Sequence, residues 1–254
     1  MDQFLLALCG IPASGKSALA SVIVARLTKE TDVVIVSTDD WRDDKYYAEF
    51  SPDNEKRVRR AALEKTEKAI GEGKSVIHDD TNYYTSMRHE LYEITVRRGC
   101  SFATVHISTP VDDALSRNTE RGSNIPEEVI LRINEKLDVP GDRYAWDSPI
   151  ATVDLGAHTL DDAADEIVER LKTLEPSSEI QETQDSGARS RLVDVITRQV
   201  VARFLQENPT YRNDPRVTKA RREALARSKA EGLTPHETEQ SLMEDLGALV
   251  EGER

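Results

Sequence analysis

The sequence is poor in cysteine, with Cys9 and Cys100 the only two in 254 residues. Two cysteines exclude a disulfide framework and a cysteine-rich zinc site. No apolar run reaches the roughly 18 residues that a membrane span requires. The N-terminal stretch MDQFLLALCG carries an acid where a secretory signal carries positive charge. These absences predict a soluble, cytoplasmic protein. No internal repeat is present, which argues against a solenoid or a propeller. Aromatic residues make up only 5% and hydrophobic residues 38%, a low share that still supplies a core.

Lysine is also scarce, at 11 against 23 arginines, while Asp and Glu together number 47 and the net charge is −13. At about 1 M salt the Debye length is only about 3 Å, so repulsion within such an acidic surface fades. The composition therefore points to a salt-adapted, halophilic source. The mass of 28.5 kDa fits one large domain or an ordinary domain with a small appendage. Charge distribution favours the second. Residues 1–187 hold 22 basic and 36 acidic residues, net −14, and residues 188–254 hold 12 and 11, net +1. Within the latter, residues 212–229 carry net +5. A basic stripe on an acidic protein points to a polyanionic partner.

Apolar runs alternate with helical patterns through the first part. Strands are predicted at Phe4–Leu8, Val33–Val36, Ser75–His78, Phe102–Ile107 and Ala151–Leu155. Helices are predicted at 17–29, 54–71, 85–98, 111–121, 126–137 and 161–174. This alternation predicts an α/β fold with a parallel sheet covered by helices on both faces. The stretch EPSSEIQETQDSG, residues 175–187, is almost without apolar residues and reads as a linker. The rest, 188–254, reads as a small all-α domain. Leu192, Ile196, Val200 and Phe204 fall four apart, and further helices are predicted at 215–231 and 235–249.

Gly10-Ile11-Pro12-Ala13-Ser14-Gly15-Lys16-Ser17 fits the phosphate-loop pattern G-x-x-x-x-G-K-[ST] between a predicted strand and a predicted helix. Gly10, Pro12, Ala13, Ser14 and Gly15 would present backbone N–H groups to phosphate oxygens, with the helix N-terminus adding positive potential. Lys16 would reach the β- and γ-phosphates and Ser17 would ligate Mg²⁺. ATP and Mg²⁺ are the predicted cofactors.

The second strand ends in Ser37-Thr38-Asp39-Asp40 with Arg42 close behind. Ligands of an open parallel sheet sit beyond the carboxyl ends of its strands. There Asp39 is a candidate general base and metal partner, and Arg42 a candidate phosphate or substrate holder. The same Asp would also serve as a helix cap. The third strand runs into His78-Asp79-Asp80. An acid after an apolar strand is the usual second metal-supporting residue of a phosphate-loop protein, and spacing leaves Asp79 and Asp80 equivalent. His78 reads as a packed strand residue. Arg117 and Arg121 lie four apart and would share a helix face, placed to clamp phosphoryl oxygens. In the basic stretch, Arg212, Arg216, Lys219, Arg221, Arg222 and Arg227 are the candidate contacts to an RNA partner, with Arg189, Arg191, Arg198 and Arg203 as possible extensions. Tyr211 is either a stacking residue or part of a helix contact.

Taken in order, the phosphate loop is followed by Ser37-Thr38-Asp39 and by the run from His78-Asp79-Asp80-Thr81-Asn82-Tyr83-Tyr84 to Arg88. Arg117-Asn118-Thr119-Glu120-Arg121-Gly122, Ile125-Pro126 and the segment Pro140–Pro149 around Trp146-Asp147 complete the set. The set resembles archaeal L-seryl-tRNA(Sec) kinase, also called phosphoseryl-tRNA kinase. The resemblance spans nearly all of residues 1–155 and is weaker in the helical part. It implies a P-loop kinase domain (1–174), the linker and a helical tRNA-docking domain (188–254). It implies transfer of the ATP γ-phosphoryl group to the serine of Ser-tRNA(Sec) for selenocysteine synthesis. The implied partner is tRNA, with neither DNA nor membrane involved, and homodimers are common in that family. Its loop Lys and Ser match Lys16 and Ser17. Its strand-two Asp and nearby Arg match Asp39 and Arg42, its lid arginines match Arg117 and Arg121, and its strand-three acid matches Asp79. Asp80, the residue that follows, matches as well. A sister family, the tRNA-dependent ATPases that assist Elongator in wobble-uridine modification, shares the phosphate loop and a Trp-Asp-Ser-Pro segment. The Arg117–Gly122 block and D-D-T-N-Y-Y are closer to the kinase. Tyr83, Tyr84 and Trp146 are either acceptor-pocket or core aromatics.

Overall fold

The computed structural model describes residues 1–28, 31–42, 46, 51–142, 144–177, 188–212 and 214–251, with the side chains of 52, 188–191 and 251 left aside. Most of the predicted linker (178–187), Arg143, and the side chains of Arg189 and Arg191 lie outside the described residues. The chain divides into two compact units, Met1–Ser177 and Ser178–Arg254.

The first unit is a five-stranded parallel sheet: β1 (Phe4–Cys9), β2 (Val33–Ser37), β3 (Ser75–Asp79), β4 (Ser101–Ile107) and β5 (Ala151–Val153), in the order β2-β3-β1-β4-β5. Every residue of β1 is buried, as expected of a central strand covered on both faces. Its side chains alternate between two cores. Phe4, Leu6 and Leu8 pack with α1 (Lys16–Leu27) and α6 (Leu160–Leu171). Leu5 and Ala7 pack with α2 (Pro52–Gly71) and α3 (Thr85–Arg98). Burying each such leucine stabilises the fold by about 1.5–3 kcal/mol. A smaller cluster of Ile11, Ala114 and Ile130 fastens the loop after β1 to α4 (Val111–Glu120) and α5 (Glu127–Lys136).

Register brings the site together. Leu8 of β1 and Ser37 of β2 both pair with Asp79 of β3. The three strands therefore end side by side, and their loops gather beyond their carboxyl ends. A short 3₁₀ turn, Thr38–Trp41, which the periodicity did not predict, carries Asp39 away from β2.

Among the described residues, the second unit has three α-helices that pack each on the other two: α7 (Ala188–Glu207), α8 (Pro215–Glu231) and α9 (Pro235–Glu251). Their boundaries follow from local chemistry. The Asp214 side chain accepts from Arg216 N at 2.8 Å, with Pro215 in the first turn of α8. Thr234 and Glu237 form a reciprocal capping box at the start of α9.

Candidate active site

The phosphate loop leaves β1 at Gly10, whose N–H donates to the Thr81 carbonyl at 3.0 Å. A Cβ on Gly10 would lie 2.7 Å from the Ile107 backbone oxygen, so only glycine fits. Gly15 caps α1 in the left-handed region, at φ 105°. The Ser14 carbonyl is held by Thr109 Oγ1 at 3.0 Å and Arg117 Nη1 at 2.9 Å. Arg117 Nη2 also donates to the Leu155 carbonyl at 2.8 Å. Arg117 thus braces the loop through its backbone. Arg121 is the exposed C-cap residue of α4.

Lys16 is buried and its Nζ donates to the carbonyls of Gly10 and Ile11 at 3.0 and 2.7 Å. Burial pulls its pKa down, against the opposing pull of Asp79 and Asp80. The Ser14 hydroxyl is buried without a protein partner. An unpaired buried hydroxyl beside a helix N-terminus and an ammonium fits a phosphate group.

The two acids after β3 have different surroundings. Burial raises the Asp79 pKa, while a hydrogen bond from the Ser17 hydroxyl and the Lys16 charge oppose that rise. The Ser37 hydroxyl lies 3.5 Å from Asp79 Oδ2. Burial would also raise Asp80, but Arg42 and Arg59 bring it below its ordinary value. Asp80 Oδ1 accepts from Thr38 Oγ1 at 3.0 Å and from Thr81 N at 2.8 Å. Asp80 Oδ1 is thus taken by protein donors, while its buried Oδ2 has no hydrogen bond among the described residues and only the Arg59 guanidinium at 3.7 Å. Asp79 is the acid hydrogen-bonded to Ser17. A hydroxyl next to a carboxylate is a hard-oxygen donor set of the kind Mg²⁺ takes, alongside phosphate and water. No cluster of three or more His, Cys, Asp or Glu placed to hold a metal occurs among the described residues. The pair suits a Mg²⁺–nucleotide rather than a protein-caged ion.

Asp39 has a side chain 72% exposed, with Oδ1 3.2 Å from Arg42 Nη1. Arg42 also pairs with Glu55 at 3.1 Å, lies 3.8 Å from Asp80 and sits over the Tyr46 ring at 5.3 Å. Its guanidinium is held among carboxylates on one side of the site. His78 is packed inside β3, and burial pushes its pKa down to about 4. It is a neutral strand residue, as expected.

Two recognisable segments meet in a buried ion pair. Arg88 is fully buried, and its Nε and Nη2 reach Asp147 Oδ1 and Oδ2 at 2.7 and 2.6 Å. Its Nη1 donates to the Asn82 carbonyl at 2.8 Å. This fork ties the run after β3 to the Trp-Asp segment. Trp146 packs 5.1 Å from both His89 and Tyr92, and Tyr83 lies 4.1 Å from Tyr84. Trp146 is an aromatic-cluster residue, and Tyr84 is buried.

In the helical unit, Arg221 bonds Asp194 and Thr197, and Arg227 bonds Asp245 and Ser241. These two arginines join helices. Arg216 pairs with Asp214 at 2.6 Å and Lys219 lies 3.8 Å from Glu223. Arg216, Lys219 and Arg222 fall three apart on α8, all exposed, with Arg212 exposed just before it. Tyr211 is buried against Phe204 at 5.5 Å, and its hydroxyl donates to the Leu249 carbonyl at 3.2 Å. It is a helix contact.

The family model described as chromatin associated protein KTI12 matches residues 4–236. The chain belongs to that family. An L-seryl-tRNA(Sec) kinase of Methanococcus maripaludis is 31% identical over 223 residues, covering 83% of this chain and 84% of that relative. A KTI12 homolog of Danio rerio is 28% identical over 153 residues, covering 59% and 56%. Two solved structures share the fold. Chaetomium thermophilum Kti12 in complex with ADP-AlF3 has a TM-score of 0.53 and 22% identity, over 66% of this chain and 98% of its own. The Mycobacterium tuberculosis APS kinase CysC in complex with AMPPNP and APS has 0.52 and 16%, over 68% and 99%. The chain is a P-loop phosphotransferase.

In this KTI12-family chain, sequence reasoning passed over Arg59, Glu55 and Glu90. Arg59 lies 3.7 Å from Asp80 and 2.6 Å from Glu90. A signal was present. On α2, Arg59 shares a face with Ala62, Thr66, Ala69 and Ile70, all buried. A charge on an apolar stripe marks a buried pair.

Proposed function

We propose that this chain transfers the γ-phosphoryl group of ATP to the serine hydroxyl of seryl-tRNA(Sec), forming O-phosphoseryl-tRNA(Sec). The observation that carries the reading is the exposed Asp39 carboxylate, whose charge reaches Lys16 of the phosphate loop. Its Oδ1 is engaged by Arg42, which leaves Oδ2 to take the serine proton. As that proton moves, the serine Oγ–P bond forms and the bond from phosphorus to the β-phosphate oxygen breaks, releasing ADP. Lys16 and the loop amides hold the phosphates, and the Ser14 hydroxyl gains a partner there. Ser17 and Asp79 would hold Mg²⁺, which neutralises developing phosphate charge, with Asp39 kept for the proton. Arg117 keeps the loop rigid, and Arg121 is the exposed cation available to the transferring group.

The relative from Methanococcus maripaludis supports the substrate, since a similarity over 83% of this chain extends beyond the first unit into the second. The exposed cations Arg212, Arg216, Lys219 and Arg222 are the proposed tRNA contacts, and Arg221 and Arg227 serve them by holding the helices. In concentrated salt the phosphate-contact term shrinks, so shape carries more of the recognition. The KTI12 family match supports a second reading, the one the resemblance to the Elongator-associated ATPases implies, in which tRNA gates ATP hydrolysis for wobble-uridine modification and no phosphoserine forms. Incubation with γ-labelled ATP and seryl-tRNA(Sec), with Asp39→Asn as control, tests the proposal. Label on serine with the wild type and not the variant supports it. Free phosphate alone supports the second reading.

A further inference from the structure

Six ionisable side chains form a continuous line from the interior of the first unit to the candidate base. Glu90 on α3 pairs with Arg59 on α2 at 2.6 Å. Arg59 reaches Asp80 at 3.7 Å, and Asp80 reaches Arg42 at 3.8 Å. Arg42 divides between Glu55 at 3.1 Å and Asp39 at 3.2 Å. Four carboxylates thus share two guanidiniums. Arg59, Asp80 and Glu90 are almost fully buried, whereas Asp39 stands in solvent. Buried charges are weakly screened, so each of these contacts bears on the next.

The distances show a competition. Arg42 is closer to Glu55 and Asp39, at the rim, than to the buried Asp80. An isolated buried carboxylate would draw the nearest guanidinium inward. Asp80 has a second guanidinium on its far side, Arg59, which Glu90 in turn holds. We infer that Arg59 is a positioning residue for the proposed reaction: by sharing Asp80 it leaves Arg42 at the rim, where Arg42 aims the Asp39 carboxylate. This rests on the reading of Asp39 as the base. Arg59 touches neither substrate nor nucleotide in the account, and it lies on no motif.

The test compares Arg59→Gln, Arg59→Lys and the double variant Arg59→Gln/Glu90→Gln in the full chain. The double variant removes both buried charges together, so it does not strand a lone buried Glu90. ATP consumption and serine phosphorylation are followed in one reaction with seryl-tRNA(Sec), and crystal structures locate Arg42. Arg59→Gln and the double variant are expected to lower kcat at least about tenfold, as misplacement of a reacting group does. The KM for ATP should stay within about twofold, because the phosphate loop is untouched. Arg42 should shift from Asp39 towards Asp80. Arg59→Lys should recover most of kcat. An unmoved Arg42, an unchanged kcat, or equal losses in Arg59→Gln and Arg59→Lys would overturn the inference. If ATP is consumed without phosphoserine, the substrate reading fails while the comparison of ATP turnover still decides the role of Arg59.

Discussion

The Arg88–Asp147 pair offers a quantitative test of how the site is held. Arg88 has no exposed surface, and both of its terminal contacts to Asp147 are short. Asp147→Asn leaves a guanidinium that cannot lose its proton in a place without water. Breaking a buried pair in this way costs about 3–5 kcal/mol. Arg88→Met leaves instead a carboxyl that can take a proton. Burial pushes the Asp147 pKa up and Arg88 opposes it; without Arg88, burial and the Asp138 charge still raise it against a hydrogen bond from the Gly141 backbone. The folded pKa of Asp147 in that variant then lies above the unfolded value of about 3.9. Between those two values the folded state binds the extra proton, so stability relative to the wild type rises as pH falls. Urea unfolding at pH 7 and pH 5, in a Trp41→Phe background so that Trp146 reports, measures both variants. Asp147→Asn should shift the midpoint down by about 1 M or more, given a urea slope of about 1–3 kcal/mol/M. Its deficit should be at least as large at pH 5 as at pH 7, because the wild-type Asp147 pKa is itself raised and Asn cannot take the proton. The deficit of Arg88→Met should be smaller at pH 5 than at pH 7. A loss under about 1 kcal/mol for Asp147→Asn, or a pH-independent deficit for Arg88→Met, would refute the reasoning.

Asp39→Asn should lower kcat by about 10²–10⁴ with ATP affinity retained, measured by steady-state turnover and nucleotide titration. Replacing Arg212 and Arg222 together with Gln should weaken tRNA binding and reduce the slope of log K against log salt by about 2, read by filter binding at several salt concentrations. Arg221→Gln should instead lower the helical unit's melting temperature, because its partner Asp194 is on α7. Both thiols are buried, with pKa values pushed up to about 11. At pH 8 the folded chain should therefore resist alkylation at Cys9 and Cys100 until denaturant is added, as mass spectrometry would show.

Much of the fold was legible because its signals are local. The phosphate-loop spacing located the β1–α1 turn, and alternating apolar runs placed five strands, the last ending at Val153 rather than Leu155. Two of the C-terminal helices begin at caps visible as Asp214-Pro215 and Thr234–Glu237. Pairings between distant residues were not legible. Arg88 and Asp147 are 59 positions apart, and no spacing rule links them. Asp79 and Asp80 are neighbours of the same type, and only the tertiary placement of Ser17, Arg42 and Arg59 separates them. The basic stripe was legible as composition, but the bonds of Arg221 to Asp194 and of Arg227 to Asp245, which join helices, were not.

The central claim is transfer of phosphate to serine, and its most direct measurement is the fate of the γ-phosphate. γ-Labelled ATP would be mixed in parallel with seryl-tRNA(Sec) and seryl-tRNA(Ser), with Mg²⁺, across a range of salt concentrations. Label recovered on serine and label released as free phosphate would be counted in each reaction. Label is expected on the serine of the selenocysteine tRNA alone. Phosphate released in response to tRNA, with none on serine, would contradict it.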